Sequence, residues 1–144
     1  MSTAIATALI AVIGSLSVAA ASYWFTKQRE RDAEWRKEKL IYYKSFVESL
    51  SGIVEGDATP DGHRAFAKSS NNLLLFAPQS VIQALDEFKD EIRVSNKNRS
   101  LERHDKLLST LLFEIRSDIG VCPQDDASSF SVKLWASGAG SNAP

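Results

Sequence analysis

The chain of 144 residues carries 17 basic and 18 acidic side chains, a formal net charge of −1, so no global field recruits nucleic acid or acidic ligands and partner choice rests on local patches. A single cysteine, Cys122, excludes an intrachain disulfide and fits a reducing compartment. The first 25 residues are unlike the rest, which leaves roughly 80 to 120 residues for a soluble core, a size that gains from association with copies of itself.

The run from Ala4 to Phe25, "AIATALIAVIGSLSVAAASYWF", carries no charge and as a helix would be about 33 Å long, enough to cross a hydrocarbon core of about 30 Å. Two readings compete. The small residues of "VAAAS" suit a signal peptidase, and removal of residues 1–21 would leave a secreted or periplasmic helical protein. Against this, no lysine or arginine precedes the apolar run, whereas Lys27, Arg29, Arg31, Arg36, Lys37 and Lys39 crowd its exit, where the positive-inside bias is read. The residue pattern therefore predicts a retained transmembrane helix over 1–25, with a very short N-terminus outside and the C-terminal bulk in the cytoplasm. Tyr23, Trp24 and Phe25 sit just before the first charge, where aromatic rings anchor a helix at the headgroup level.

Within this helix Ala4, Ala8, Ala11, Ser15, Val18 and Ser22 follow a 4-3-4-3-4 spacing, beside a bulkier ridge of Ile5, Leu9, Val12 and Leu16. Such a small stripe allows close helix–helix packing, so the membrane helix is a candidate for self-association, the alternative being an alanine-rich anchor without a partner. Residues 26–38, "TKQRERDAEWRKE", favour helix and carry charge on every face, which reads as a solvated stalk with an Asp32–Arg36 pair and Arg31 stacked toward Trp35. Its cations serve as a topology signal or attract anionic headgroups, diluted by four interleaved acids.

From residue 39 the pattern becomes amphipathic. Leu40, Tyr43, Val47, Leu50 and Val54 form a seam widened by Phe46 and Ile53, and the helix stops at "EGDATPDG", where Gly56, Pro60 and Gly62 mark a turn. A second helix through "HRAFAKSSNNLLLFA" would bury Phe66, Leu73, Leu74 and Phe76 around a polar middle, Ser69 to Asn72. Pro78 opens a third, with Val81, Leu85, Phe88 and Ile92 as its stripe. The fourth, "LERHDKLLSTLLFEIRSDIG", would bury Leu101, Leu108, Leu111, Leu112 and Ile115 and end at Gly120, a left-handed cap. The fold predicted is all-α: a transmembrane helix (1–25) continuing into a charged stalk (26–38), a cytoplasmic helical bundle (39–120) and a flexible tail (121–144). The tail is rich in serine, glycine and alanine. Phe130, Val132 and Leu134 alternate within it before Trp135, and "SFSVKLW" reads as incidental apolar residues or as a segment that docks on the bundle or a partner.

No catalytic, cofactor-binding or metal-binding motif emerges. His63 and His104 with one cysteine supply no zinc spacing, a Cys122–His104 pair would have to be assembled in space, and no phosphate loop or nucleophile elbow is present. The chain reads as a non-enzyme. Arg93, Lys97, Arg99 and Arg103, with Lys106, form a basic cluster that could meet lipid phosphate or a partner; nucleic acid is disfavoured because no aromatic residues interleave to stack bases.

With "EWRKEKLIYYKSFVESLSGIV", "LLLFAPQSVIQALDEF" and "HDKLLSTLLFEIRSDIG" following the apolar helix, residues 4 to 120 resemble small bacterial single-pass membrane proteins of uncharacterised function, most specifically in "LLFEIRSDIG". The resemblance implies a bacterial or phage-related inner-membrane protein with a cytoplasmic helical domain, and transfers no catalytic residue. The functional expectation is a membrane-anchored interaction or self-assembly module that binds a protein partner or its own copies. Its alternative is a membrane-disrupting effector of a bacterial defence system.

Overall fold

The computed structural model describes residues 2–136, except for the side chains of Ala4 and Ala6. Four α-helices follow one another: α1 (Thr3–Leu50), α2 (Pro60–Leu73), α3 (Gln79–Ile92) and α4 (Leu101–Asp118), with a 3-10 turn at Ser51–Ile53. The fold is all-α, as predicted. Contacts divide the chain into two units, Met1–Lys37 and Glu38–Pro144. The first is the N-terminal part of α1; the second, a small bundle, holds the core.

Chemistry at the helix ends accounts for their boundaries. Thr59 caps α2, its hydroxyl accepting the Gly62 N–H at 3.0 Å, with Pro60 at the first position, where a missing N–H costs nothing. Ser100 caps α4 through the Arg103 N–H at 3.1 Å. At its other end, Gly120 takes φ +71°, while its N–H donates to the Ser117 carbonyl and that of Val121 to the Arg116 carbonyl. These two bonds are a Schellman closure, which needs a left-handed residue where glycine stands.

The core joins Tyr43, Phe46 and Leu50 of α1 to Phe66 and Leu73 of α2, Val81, Leu85 and Phe88 of α3, and Leu108, Leu111 and Ile115 of α4. Rings meet at 5.8 Å between Phe46 and Phe66 and 6.4 Å between Phe66 and Phe88. Burying each large side chain contributes about 1.5–3 kcal/mol, the term that offsets chain ordering in so small a bundle.

Some details of the predicted burial need correction. On α1 the inner face is Tyr43, Phe46 and Leu50, whereas Leu40 and Val47 flank it and remain 51% and 39% exposed, because a 3.6-residue helix turns them aside from that seam. Leu101 is 76% exposed at the first position of α4, and Leu74, just past the end of α2, is also exposed. Two residues of the polar middle of α2 face inward while Asn71 is exposed: Ser69 is buried with its hydroxyl 2.7 Å from that of Ser49, and the buried Ser70 hydroxyl has no partner among the described residues. Gly62 lies inside α2 rather than in a turn. It crosses Gly52 so closely that a Cβ on Gly52 would stand 2.6 Å from the Gly62 Cα, and the Thr59 N–H donates to the Gly52 carbonyl at 3.2 Å. Only residues without side chains permit this approach.

Candidate functional site

In the first unit, one helix is long and apolar enough to cross a membrane, and none of its apolar window is buried by protein. Ala8, Ala11, Ser15 and Ser22 are exposed, as are the aromatic anchors Tyr23, Trp24 and Phe25; the side chain of Ala4 lies outside the described residues. Several of its hydroxyls are satisfied within the helix. Ser15 donates to the Val12 carbonyl at 2.9 Å, Ser17 to Ile13 at 2.8 Å and Thr26 to Ser22 at 2.8 Å. Backbone-satisfied hydroxyls carry little desolvation penalty into hydrocarbon, so Ser15 needs no partner and serves the stripe by its size. Within the stalk Lys27 pairs with Glu30 at 2.9 Å, and among the described residues no Asp32–Arg36 ion pair and no stacking of Arg31 on Trp35 is formed, which corrects the expected stalk contacts.

In the second unit, α1 is tied to the end of α4 by a polar cluster that sequence reasoning missed. Lys39 Nζ lies 2.9 and 3.0 Å from the two Asp118 oxygens, and the buried Tyr43 hydroxyl donates to Asp118 at 2.7 Å. Burial, and then the bond to the Asp118 carboxylate, hold the Tyr43 phenol well above its ordinary pKa. Its signal was the aspartate of "RSDIG", a polar residue one step before a helix cap.

The basic cluster is largely committed to the fold. Arg99 donates to the Ile92 carbonyl at 2.7 Å and the Arg93 carbonyl at 3.2 Å, closing the C-terminal end of α3. Arg103 pairs at 3.2 Å with Glu91, a buried carboxylate that also accepts the Ser100 N–H at 2.9 Å. Arg93 pairs with Asp90 on the surface, and Lys97 makes no side-chain bond among the described residues. Two of the four predicted contact residues, Arg93 and Lys97, therefore keep their charge directed to solvent, and two brace the α3–α4 connection.

His104 and Cys122 are not assembled. His104 sits in the first turns of α4, 3.2 Å from Asp105 and stacked 5.3 Å from Phe88, whereas the exposed Cys122 follows the opposite end, about 21 Å of helix away. His63 is exposed on α2. Among the described residues no three His, Cys, Asp or Glu side chains converge on a metal position.

Between residues 121 and 136 the chain beyond α4 has no regular secondary structure and part of it lies against α4; the remainder of the predicted tail, 137–144, lies outside the described residues. We call residues 125–134 the strap. Arg116 grips Asp125 through two bonds of 2.5 and 3.0 Å, which hold the Asp125 carboxyl below its ordinary range. The Phe130 ring packs 5.8 Å from Phe113 and 5.6 Å from the Arg116 guanidinium. Ser109 Oγ donates to the Asp105 carbonyl of its own helix at 2.7 Å and accepts the Val132 N–H at 3.0 Å, and Lys133 reaches Asp105 at 3.7 Å. Asp126 folds the turn before Phe130 by accepting the Ser128 N–H at 3.0 Å, and that bond leads the lowering of its own carboxyl. The strap leaves an apolar groove of about 550 Å³ alongside it, between Leu40 and Val47 of α1 and Leu112 and Ile119 of α4. Comparison with known protein families, curated proteins and solved structures finds no match to this chain.

Proposed function

We propose that this chain is a membrane-anchored, non-enzymatic interaction module, its apolar helix crossing the bacterial inner membrane once and its helical bundle lying in the cytoplasm. The observation that carries this reading is an uncharged helix surface with nothing packed on it. Ile10 is 72% exposed and Val18 68% exposed among the described residues. A contiguous apolar surface of that extent is stable only in lipid or against another chain. The cations after residue 26 favour a cytoplasmic exit, and the aromatic triplet favours an interface at residues 23–25. Self-association through the Ala8–Ala11–Ser15–Ser22 stripe belongs to the same proposal and rests on spacing and side-chain size.

The mass of the chain recovered from carbonate-washed membranes tests the anchor. A chain that retains its N-terminal residues and stays in the pellet supports the reading, and a soluble chain cut near residue 21 refutes it.

A further inference from the structure

The strap is bound along one ridge of α4, with Val132 and Leu134 packed against the edge of the core. Asp105, Ser109, Phe113 and Arg116 recur at helical spacing, and each touches it, from Lys133 back to Asp125, so strap and helix run antiparallel. Each contact reads a different chemical feature: a guanidinium fork for a carboxylate, a ring for a ring, and a hydroxyl oxygen that accepts the N–H of an extended residue. No strap residue is fully buried, whereas the core side chains Leu108, Leu111 and Ile115 lie on another face of α4. Val132 and Leu134 are half-buried and pack against the outside of that core, so losing the strap uncovers part of its edge but removes no fully buried side chain. Cys122, Pro123 and Gln124, which connect helix and strap, make no hydrogen bond among the described residues.

We propose that this ridge is a binding site for an extended peptide with the pattern of Asp125, Phe130, Val132 and Leu134, and that the strap of a second copy exchanges with the chain's own. The occupant is specified by the chain itself, because the sequence that fits the ridge is the one seated on it. Exchange forms the same contacts in trans that it breaks in cis, so its free-energy cost is confined to the connector and to bringing two copies together. The second of these is small for copies confined to one membrane, a step that rests on the anchored reading above.

The test uses two full-length copies with different tags, coexpressed in membranes, one carrying Arg116→Asp and the other Asp125→Arg. Alone, each variant sets like charges against each other in cis; together, only exchanged straps place opposite charges at both sites. A photocrosslinker at the exposed position 131 reports which α4 the strap occupies. The proposal expects intermolecular product several-fold above that of either variant alone, reduced by Phe130→Ala in the Asp125→Arg copy. The double variant R116D/D125R, which restores the pair both in cis and between copies, should return the crosslinking pattern to that of the unsubstituted chain and shows that the substitutions are tolerated. Intermolecular product in the mixed cells no greater than in the single-variant cells overturns the proposal. Crosslinking from position 11 reports association of the membrane helices separately, so a failure of that association is distinguishable from a failure of strap exchange.

Discussion

Replacing Asp118 with alanine removes the acceptor shared by Lys39 and Tyr43. The Tyr43 hydroxyl is left inside the bundle without its 2.7 Å partner, and an unsatisfied buried hydroxyl costs about 1–3 kcal/mol. The Lys39 ammonium also loses its carboxylate, but its side chain is 15% exposed and water takes up part of the loss, adding at most about 1 kcal/mol. The expected destabilisation is roughly 1–4 kcal/mol, a large share of the roughly 5–15 kcal/mol that holds a small domain folded. Urea unfolding of the full chain in detergent, followed by near-UV circular dichroism, measures it. The same substitution in a Lys39→Met, Tyr43→Phe background should cost about 1–2 kcal/mol less, since both groups that need the acceptor are gone. A loss under about 0.5 kcal/mol, or one unchanged in that background, would refute the assignment of Asp118 as the tie between α1 and α4.

Gly62→Ala should lower stability by about 1–3 kcal/mol in thermal unfolding although alanine is the better helix former by about 1 kcal/mol, because the new methyl meets the Gly52 backbone; a gain in stability would contradict the close crossing. Tyr43 should stay neutral as pH passes the ordinary phenol value of 10.0, so tyrosinate absorbance should show one of the three tyrosines silent until alkaline unfolding. Its raised pKa stabilises the fold fully below that ordinary value, and the contribution is lost as pH climbs through the folded value. Asp125 has the opposite sign: its lowered pKa favours the docked strap above the ordinary carboxylate value of 3.8, and that help disappears as pH falls through the folded value. Hydrogen exchange at the Val132 amide, referenced to Leu111, should be flat from neutral pH to about pH 4 and rise below it, with Asp125→Asn removing most of the step.

The helices were legible because each announces itself locally. Apolar positions repeat at helical spacing in α2, α3 and α4, Pro60 and Pro78 mark entries, and Gly120 marks an exit. What periodicity conveys poorly is rotation about the axis. Leu40 and Tyr43 are both apolar-patterned neighbours on one helix, and only the position of α4 decides that Tyr43 is inside. Contacts between residues distant in sequence were opaque for a different reason. Lys39–Asp118, Arg103–Glu91 and Arg116–Asp125 involve residue types that are usually solvated, and nothing local separates a structural arginine such as Arg99 from one free to meet phosphate. Ser109 looked like an ordinary helix serine, yet it is the point at which the strap's backbone is held.

Paired reporters fused after residue 144, one active only in the cytoplasm and one only outside it, test the central claim most directly. The membrane-anchored reading expects the cytoplasmic reporter to be active on an intact, membrane-bound chain, and Lys27, Arg29 and Arg31 changed together to glutamate to weaken that bias. Activity of the outside reporter alone, on an intact or shortened chain, would contradict it.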